Sequence, residues 1–182
     1  MTQPFLFVGG SLAFDFVNTE LIDGDRRTDT LARPSDLHAW AHAVGHELGG
    51  ATEEDLAAAR GLRGAVRALF EAHLDGTPPP PDQVERVDQA LLRPGPVGGL
   101  RRTAEGYAVR ARPLETGALL RLIAEDAAQA LITELDRFGR CANDHCILLF
   151  IDRSRRGNRR WCSMQICGNR AKVRAHRDRH RG

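Results

Sequence analysis

Cysteine is missing from the first 140 residues of this chain, then appears four times within 27. A thiol distribution this uneven argues against scattered buried cysteines and for one local site. Nor does the N-terminus, MTQPFLFVGG, look like a secretory leader: it has no basic n-region and no long apolar run. We therefore expect a cytoplasmic, reducing compartment, where structural disulfides are disfavoured. No apolar run reaches the roughly 18 residues of a membrane-spanning helix, so no membrane association is expected. Aromatic residues make up 5% of the chain, too few to interleave with basic residues as a stacking platform for single-stranded nucleic acid. There is no internal repeat, no sustained heptad seam and no phosphate-binding glycine loop. Ser-His-Asp order and paired-carboxylate motifs are likewise absent, so we expect no enzyme.

What is present is concentrated at the end. Cys141 and Cys146 form one C-x4-C pair and Cys162 and Cys167 a second, with fifteen residues between them. Two thiol pairs on short turns suit a tetrahedral zinc ion, whose four thiolates sit at about 2.3 Å. An iron–sulfur cluster also takes four thiolates, but usually with closer spacing and a less hydrophilic shell. Four thiolates close the zinc sphere and leave no position for a reactive water. A second metal candidate, the ladder His38, His42 and His46, lacks an acidic partner at a suitable spacing.

Charge is equally uneven. Residues 137–182 carry thirteen Lys and Arg against three Asp, a formal +10, whereas the whole chain is +2, so residues 1–136 carry −8. A basic end on an acidic body points to a polyanionic partner. Arg155, Arg156, Arg159 and Arg160 fall between the thiol pairs and suit phosphate contacts. Arg170, Lys172, Arg174 and Arg177 follow the last thiol at helical spacings. One or two of these suit guanine edges in a major groove.

Before the cysteines, the pattern reads mainly as helix. Gly9-Gly10 break the chain and Ser11 is a candidate cap for a helix over 12–21. Asp15, Asn18 and Thr19 share one face of that helix. They suit either a small ligand pocket with Arg63 or ties to neighbouring backbone, and the second is the commoner use of buried polar groups. Residues 23–33 read as a polar loop. Pro34 opens a helix with Leu37, Trp40, Ala41 and Val44 on one stripe. Thr52 and Asp55 form a capping box for a helix over about 53–75, ended by Gly76. Its inward face is Leu56, Ala59, Leu62 or Arg63, Val66, Leu69, Phe70 and His73. Pro78–Pro81 stiffen a connector before a short helix with Val84, Val87 and Leu91 inward. Residues 100–103 and 107–112 predict a β-hairpin around Gly106. Leu114–Asp136 predicts the strongest helix. In the cysteine region, 147–151 predicts a strand pairing with 159–161, and a helix capped by Ser163 is predicted over 163–178.

At this point the residues resemble a known family. Cys167-Gly168-Asn169-Arg170 with Lys172 is similar to the signature of the CGNR zinc finger. Its setting agrees: Leu149-Phe150-Ile151-Asp152, Ser154, Asn158 and Arg160-Trp161-Cys162-Ser163-Met164. The stretch Gly9 to Thr19, with Asp36-Leu37, Trp40 and Leu62-Arg63, resembles the ABATE domain that usually precedes this finger. The resemblance implies a bacterial, stress-induced transcription regulator. The expected fold is α+β, mainly α: a helical N-terminal domain with a small β-hairpin (1–136), then a treble-clef-like four-cysteine finger (137–182). The expected ligands of zinc are Cys141, Cys146, Cys162 and Cys167. The expected partner is double-stranded DNA, with an N-terminal domain that senses a small-molecule effector or mediates a homodimer. RNA binding or protein interaction by the finger is the alternative.

Overall fold

The computed structural model describes residues 5–23, 26–110 and 112–179. Six helices and three two-stranded antiparallel ladders follow one another along these residues: α1 (Leu12–Val17), β1 (Glu20–Asp23), β2 (Arg26–Asp29), α2 (Pro34–Ala43), α3 (Glu53–Asp75), α4 (Pro81–Leu91), β3 (Gly99–Thr103), β4 (Gly106–Arg110), α5 (Thr116–Thr133), β5 (Phe138–Arg140), β6 (Leu149–Ile151) and α6 (Asn169–Arg179). The fold is α+β with helix dominant, as the sequence suggests.

The long helix α3 is the scaffold. Thr52 and Asp55 close the expected capping box, and Gly76 ends the helix in the left-handed region at φ 64°. Its inward stripe packs on α1, α4 and α5. Phe14 of α1 stacks on Phe70 at 4.2 Å, and Phe138 meets both edge-on at 4.9 and 5.0 Å. Burying each such ring removes a large apolar area from water, worth about 2–3 kcal/mol per ring.

Several expectations fail for identifiable reasons. Helix α1 stops at Val17, because Asn18 and Thr19 turn the chain: Thr19 Oγ1 donates to Phe16 O, and Thr30 donates to Thr19 O from both N and Oγ1. The supposed loop 23–33 contains β2, paired with β1 and tied to it by Arg27–Glu20 at 2.6 Å. Ser11 occupies the N-cap without a side-chain bond. His73 is exposed, although its Nε2 lies 2.9 Å from Leu135 O. Val84 is exposed, and Ala90 joins Val87 inward in its place. The last body helix runs over 116–133, and a 3-10 turn, Leu135–Arg137, makes the join. The expected hairpin forms, but with strands Gly99–Thr103 and Gly106–Arg110, so Gly106 opens the second strand; residue 111 lies outside the described residues.

The largest departure lies at the end of the chain. Strand β6 pairs with β5, with Gly139 opposite Phe150, and not with residues 159–161. A Cβ on Gly139 would sit 2.5 Å from the Phe150 ring, so only glycine lets that ring lie across the strand. Leu149 and Ile151 of β6 belong to the core of the helical body, while Phe150 between them faces the cysteines. One short strand thus serves two cores through its period of two.

Candidate metal centre and basic surface

The β5–β6 ladder presents the first thiol pair. Cys141 leaves β5 with its N–H on Leu148 O at 3.0 Å, and Cys146 N–H turns back onto Asn143 O at 2.8 Å. The second pair is held by a π-turn, Met164–Gly168, that runs directly into α6. Ser163 caps this turn, its Oγ accepting from Gln165 N at 3.2 Å and its carbonyl from the N–H groups of Cys167 and Gly168. A Cβ on Gly168 would meet the Met164 thioether at 2.8 Å and Trp161 at 3.4 Å, so the glycine relieves crowding. Its φ is not positive, so no unusual backbone angle is involved.

The four sulfurs lie within 4.8 Å of one another. A tetrahedron with arms of about 2.3 Å has edges of about 3.8 Å. The Cys146–Cys162 pair is at 3.8 Å, far beyond a disulfide bond. Cys141, Cys162 and Cys167 are buried, and Leu148, Phe150, Trp161 and Ile166 surround the group. Thiols this close share protons. Hydrogen bonds from Cys146 and Cys162 hold Cys141 down at about 2, and donation to Cys141 pushes Cys146 up to about 12. Cys162 is pushed up for the same reason, so Cys141 is the one thiolate that this hydrogen bonding favours, and its two donors keep their protons. Asn143 Nδ2 donates to Cys167 Sγ at 3.4 Å, an outer support of the kind that orients metal ligands. Asn143 escaped the sequence reading because nothing marks its side chain as facing a sulfur 24 residues away.

The suggested pocket residues Asp15, Asn18 and Arg63 each bond to a different part of the chain. The Asp15 carboxylate accepts from Gly9 N at 2.7 Å, and burial raises its pKa to about 6. Asn18 donates to Leu149 O at 2.8 Å and accepts from Leu149 N at 3.0 Å. Arg63 forks onto Asp29 at 2.6 and 2.7 Å and reaches Thr19 Oγ1 at 3.0 Å. Each is a tie between segments. Arg67, unremarked in the sequence, is another: it is buried and donates to Ile147 O and Val17 O at 2.9 and 3.1 Å.

Arg159 requires a correction. Its guanidinium donates to Trp161 O, Ile151 O, Val8 O and Cys162 O, and lies 4.1 Å over the Phe150 ring. A guanidinium so engaged has no fork left for a phosphate. Arg155, Arg156, Arg160, Arg170, Lys172, Arg174 and Arg177 are all exposed. Arg174 lies 3.9 Å from Asp144, and Arg160 lies 5.3 Å over Trp161. Asn169 Nδ2 donates to Gln165 O at 3.4 Å.

A cluster of four cysteines, closed by a ladder on one side and a helix start on the other, defines a structural zinc finger. The chain belongs to the ABATE family, described as "Putative stress-induced transcription regulator", whose model matches residues 10–134; the CGNR zinc finger matches residues 137–180. With the clustered sulfurs, this establishes zinc as the bound metal. No curated protein matches the chain. No helix among the described residues is long and apolar enough to cross a membrane.

Proposed function

We propose that the chain is a zinc-dependent regulator that binds double-stranded DNA through its C-terminal finger, residues 137–182. Cys141, Cys146, Cys162 and Cys167 hold the ion, which supplies folding energy and no reaction. The observation that carries the reading is a set of unengaged cations. Arg155, Arg156, Arg170, Lys172 and Arg177 are exposed and have no hydrogen bond or ion pair among the described residues. Arginines left unpaired on a rigid element suit phosphate. Arg170, Arg174 and Arg177 share one face of α6 and line an open groove of about 760 Å³ with Gln165, Asn169 and Val173. That face suits a major groove, with Arg170 three residues after the last thiol, Cys167.

Residues 1–136 sense a ligand or mediate dimerisation in this reading, so the division from the finger is one of role. The test is the affinity for random duplex DNA across a salt series, with and without a chelator. Binding should weaken with salt by about 0.9 log unit per log unit for each phosphate contact, and vanish with the metal. Absence of binding at low salt by zinc-loaded protein overturns the reading. Stronger competition by structured RNA moves it to RNA.

A further inference from the structure

The finger and the start of the chain flank an open cleft of about 710 Å³, with Phe7, Val8 and Gly10 on one side and Ser154, Asn158 and residues 159–164 on the other. This volume falls in the range of small-molecule sites, about 300–1,000 Å³. Its surfaces differ in kind from the α6 groove. Phe7 and Met164 are half-exposed, at 46% and 51%, and Trp161 adds an aromatic wall. Two polar side chains on the same rim are unengaged by hydrogen bonds or ion pairs among the described residues: the Asn158 amide and the Arg160 guanidinium. Arg160 is held over Trp161 at 5.3 Å, so its charge lies beside an apolar wall.

We propose that this cleft binds a planar aromatic molecule bearing one anionic group. The ring lies against Phe7, Trp161 and the adaptable thioether of Met164. The anion meets Arg160, the cleft's one cation not already bonded to backbone, on a domain of formal charge +10. Asn158 adds a neutral donor and acceptor for a ring substituent. The site also has a position from which to act. Cys162 lies in its wall, and Arg159, which ties Val8 O to Cys162 O, forms its floor. A ligand there touches both the body and the second thiol pair. The proposal deepens the ligand-sensing half of the regulator reading and rests on it for its purpose, though not for its chemistry.

The test uses the zinc-loaded full chain and two fluorescent probes that differ only in charge: 1-anilinonaphthalene-8-sulfonate and its neutral parent, N-phenyl-1-naphthylamine. The sulfonate should saturate at one per chain and bind at least about tenfold more tightly than the neutral probe. Arg160→Gln should remove that preference, Arg160→Lys should keep most of it, and Phe7→Ser should weaken both probes. Leu100→Ser, on the exposed β3–β4 hairpin, should change neither. Zinc content and far-UV circular dichroism establish that each variant is folded. No saturable binding, or binding that ignores Arg160 and Phe7, overturns the proposal. Probe binding without duplex binding keeps the cleft and removes the regulator reading, and the converse removes the cleft alone.

Discussion

Helices α3 and α6 both carry arginines at helical spacing, and the two sets have opposite fates. On α3, Arg60, Arg63 and Arg67 reach carbonyls and carboxylates of other segments: Leu31 O, Asp29, Ile147 O and Val17 O. On α6, Arg170 and Arg177 reach nothing among the described residues. The difference lies in what faces each helix. Helix α3 crosses the back of a hairpin and a strand end, where backbone acceptors would otherwise lack partners. Helix α6 packs against the π-turn that precedes it, and among its described side chains those of residues 170, 172–174 and 177 are exposed. An arginine's role is thus set by acceptors that its own helix does not display.

Substitution on α3 should break the molecule, and substitution on α6 should not. Arg67→Met leaves the carbonyls of Val17 and Ile147 short of a donor inside the protein. It should cost about 3 kcal/mol or more in urea unfolding. Removing zinc tests how far the two regions share one fold. Because Leu149 and Ile151 lie in the body's core, chelation should lower the melting temperature of the α-helical signal, and should not melt the finger alone. Arg159→Ala should cost about 1–3 kcal/mol and should not be rescued by lysine, which lacks the fork. Arg170→Ala should leave stability within about 0.5 kcal/mol while lowering the salt slope of duplex binding by about 0.9. Loss of stability there, or unchanged binding, would erase the contrast between the helices.

A further effect, on pH dependence, concerns Asp15. Burial raises its pKa from the ordinary carboxylate value to about 6, nearby Asp126 adds to the rise, and the Gly9 bond and Arg159 oppose it. The folded state therefore holds the proton more tightly than the unfolded chain. Its stabilising contribution is full below about pH 4 and is lost as pH rises through about 6. Asp15→Asn, which keeps an acceptor for Gly9, should flatten that part of the stability profile. A profile that keeps its slope in the variant would assign the effect to another group.

Much of this is legible in residue order. The cysteine spacing locates the metal site, the Thr52–Asp55 box and Gly76 bound α3, and Gly106 marks a true hairpin. The hidden parts have a common cause: long-range partners. Strand β2 reads RRTD, with no apolar alternation, and is held by ions from Glu20 and α3. The β5–β6 pairing depends on Gly139 fitting under Phe150, and a lone glycine does not name its neighbour. Arg159 sits among solvent-facing arginines in sequence, yet its acceptors include Val8 O, 151 positions away. Asp15, Asn18 and Arg63 carry the residue types of either a pocket or a set of ties, and only the folded chain names the partners they take.

The Asn18 bracket has one further consequence. Its primary amide matches the backbone of Leu149 donor for acceptor, as a neighbouring strand would. Hydrolysis of that amide to a carboxylate would turn the donor into a second oxygen aimed at the Leu149 carbonyl. The exchange is nearly weightless, yet attraction becomes repulsion between the body and the finger's strand. A single side-chain amide thus sets how firmly the body holds the finger's strand, and a carboxylate in its place would loosen that grip.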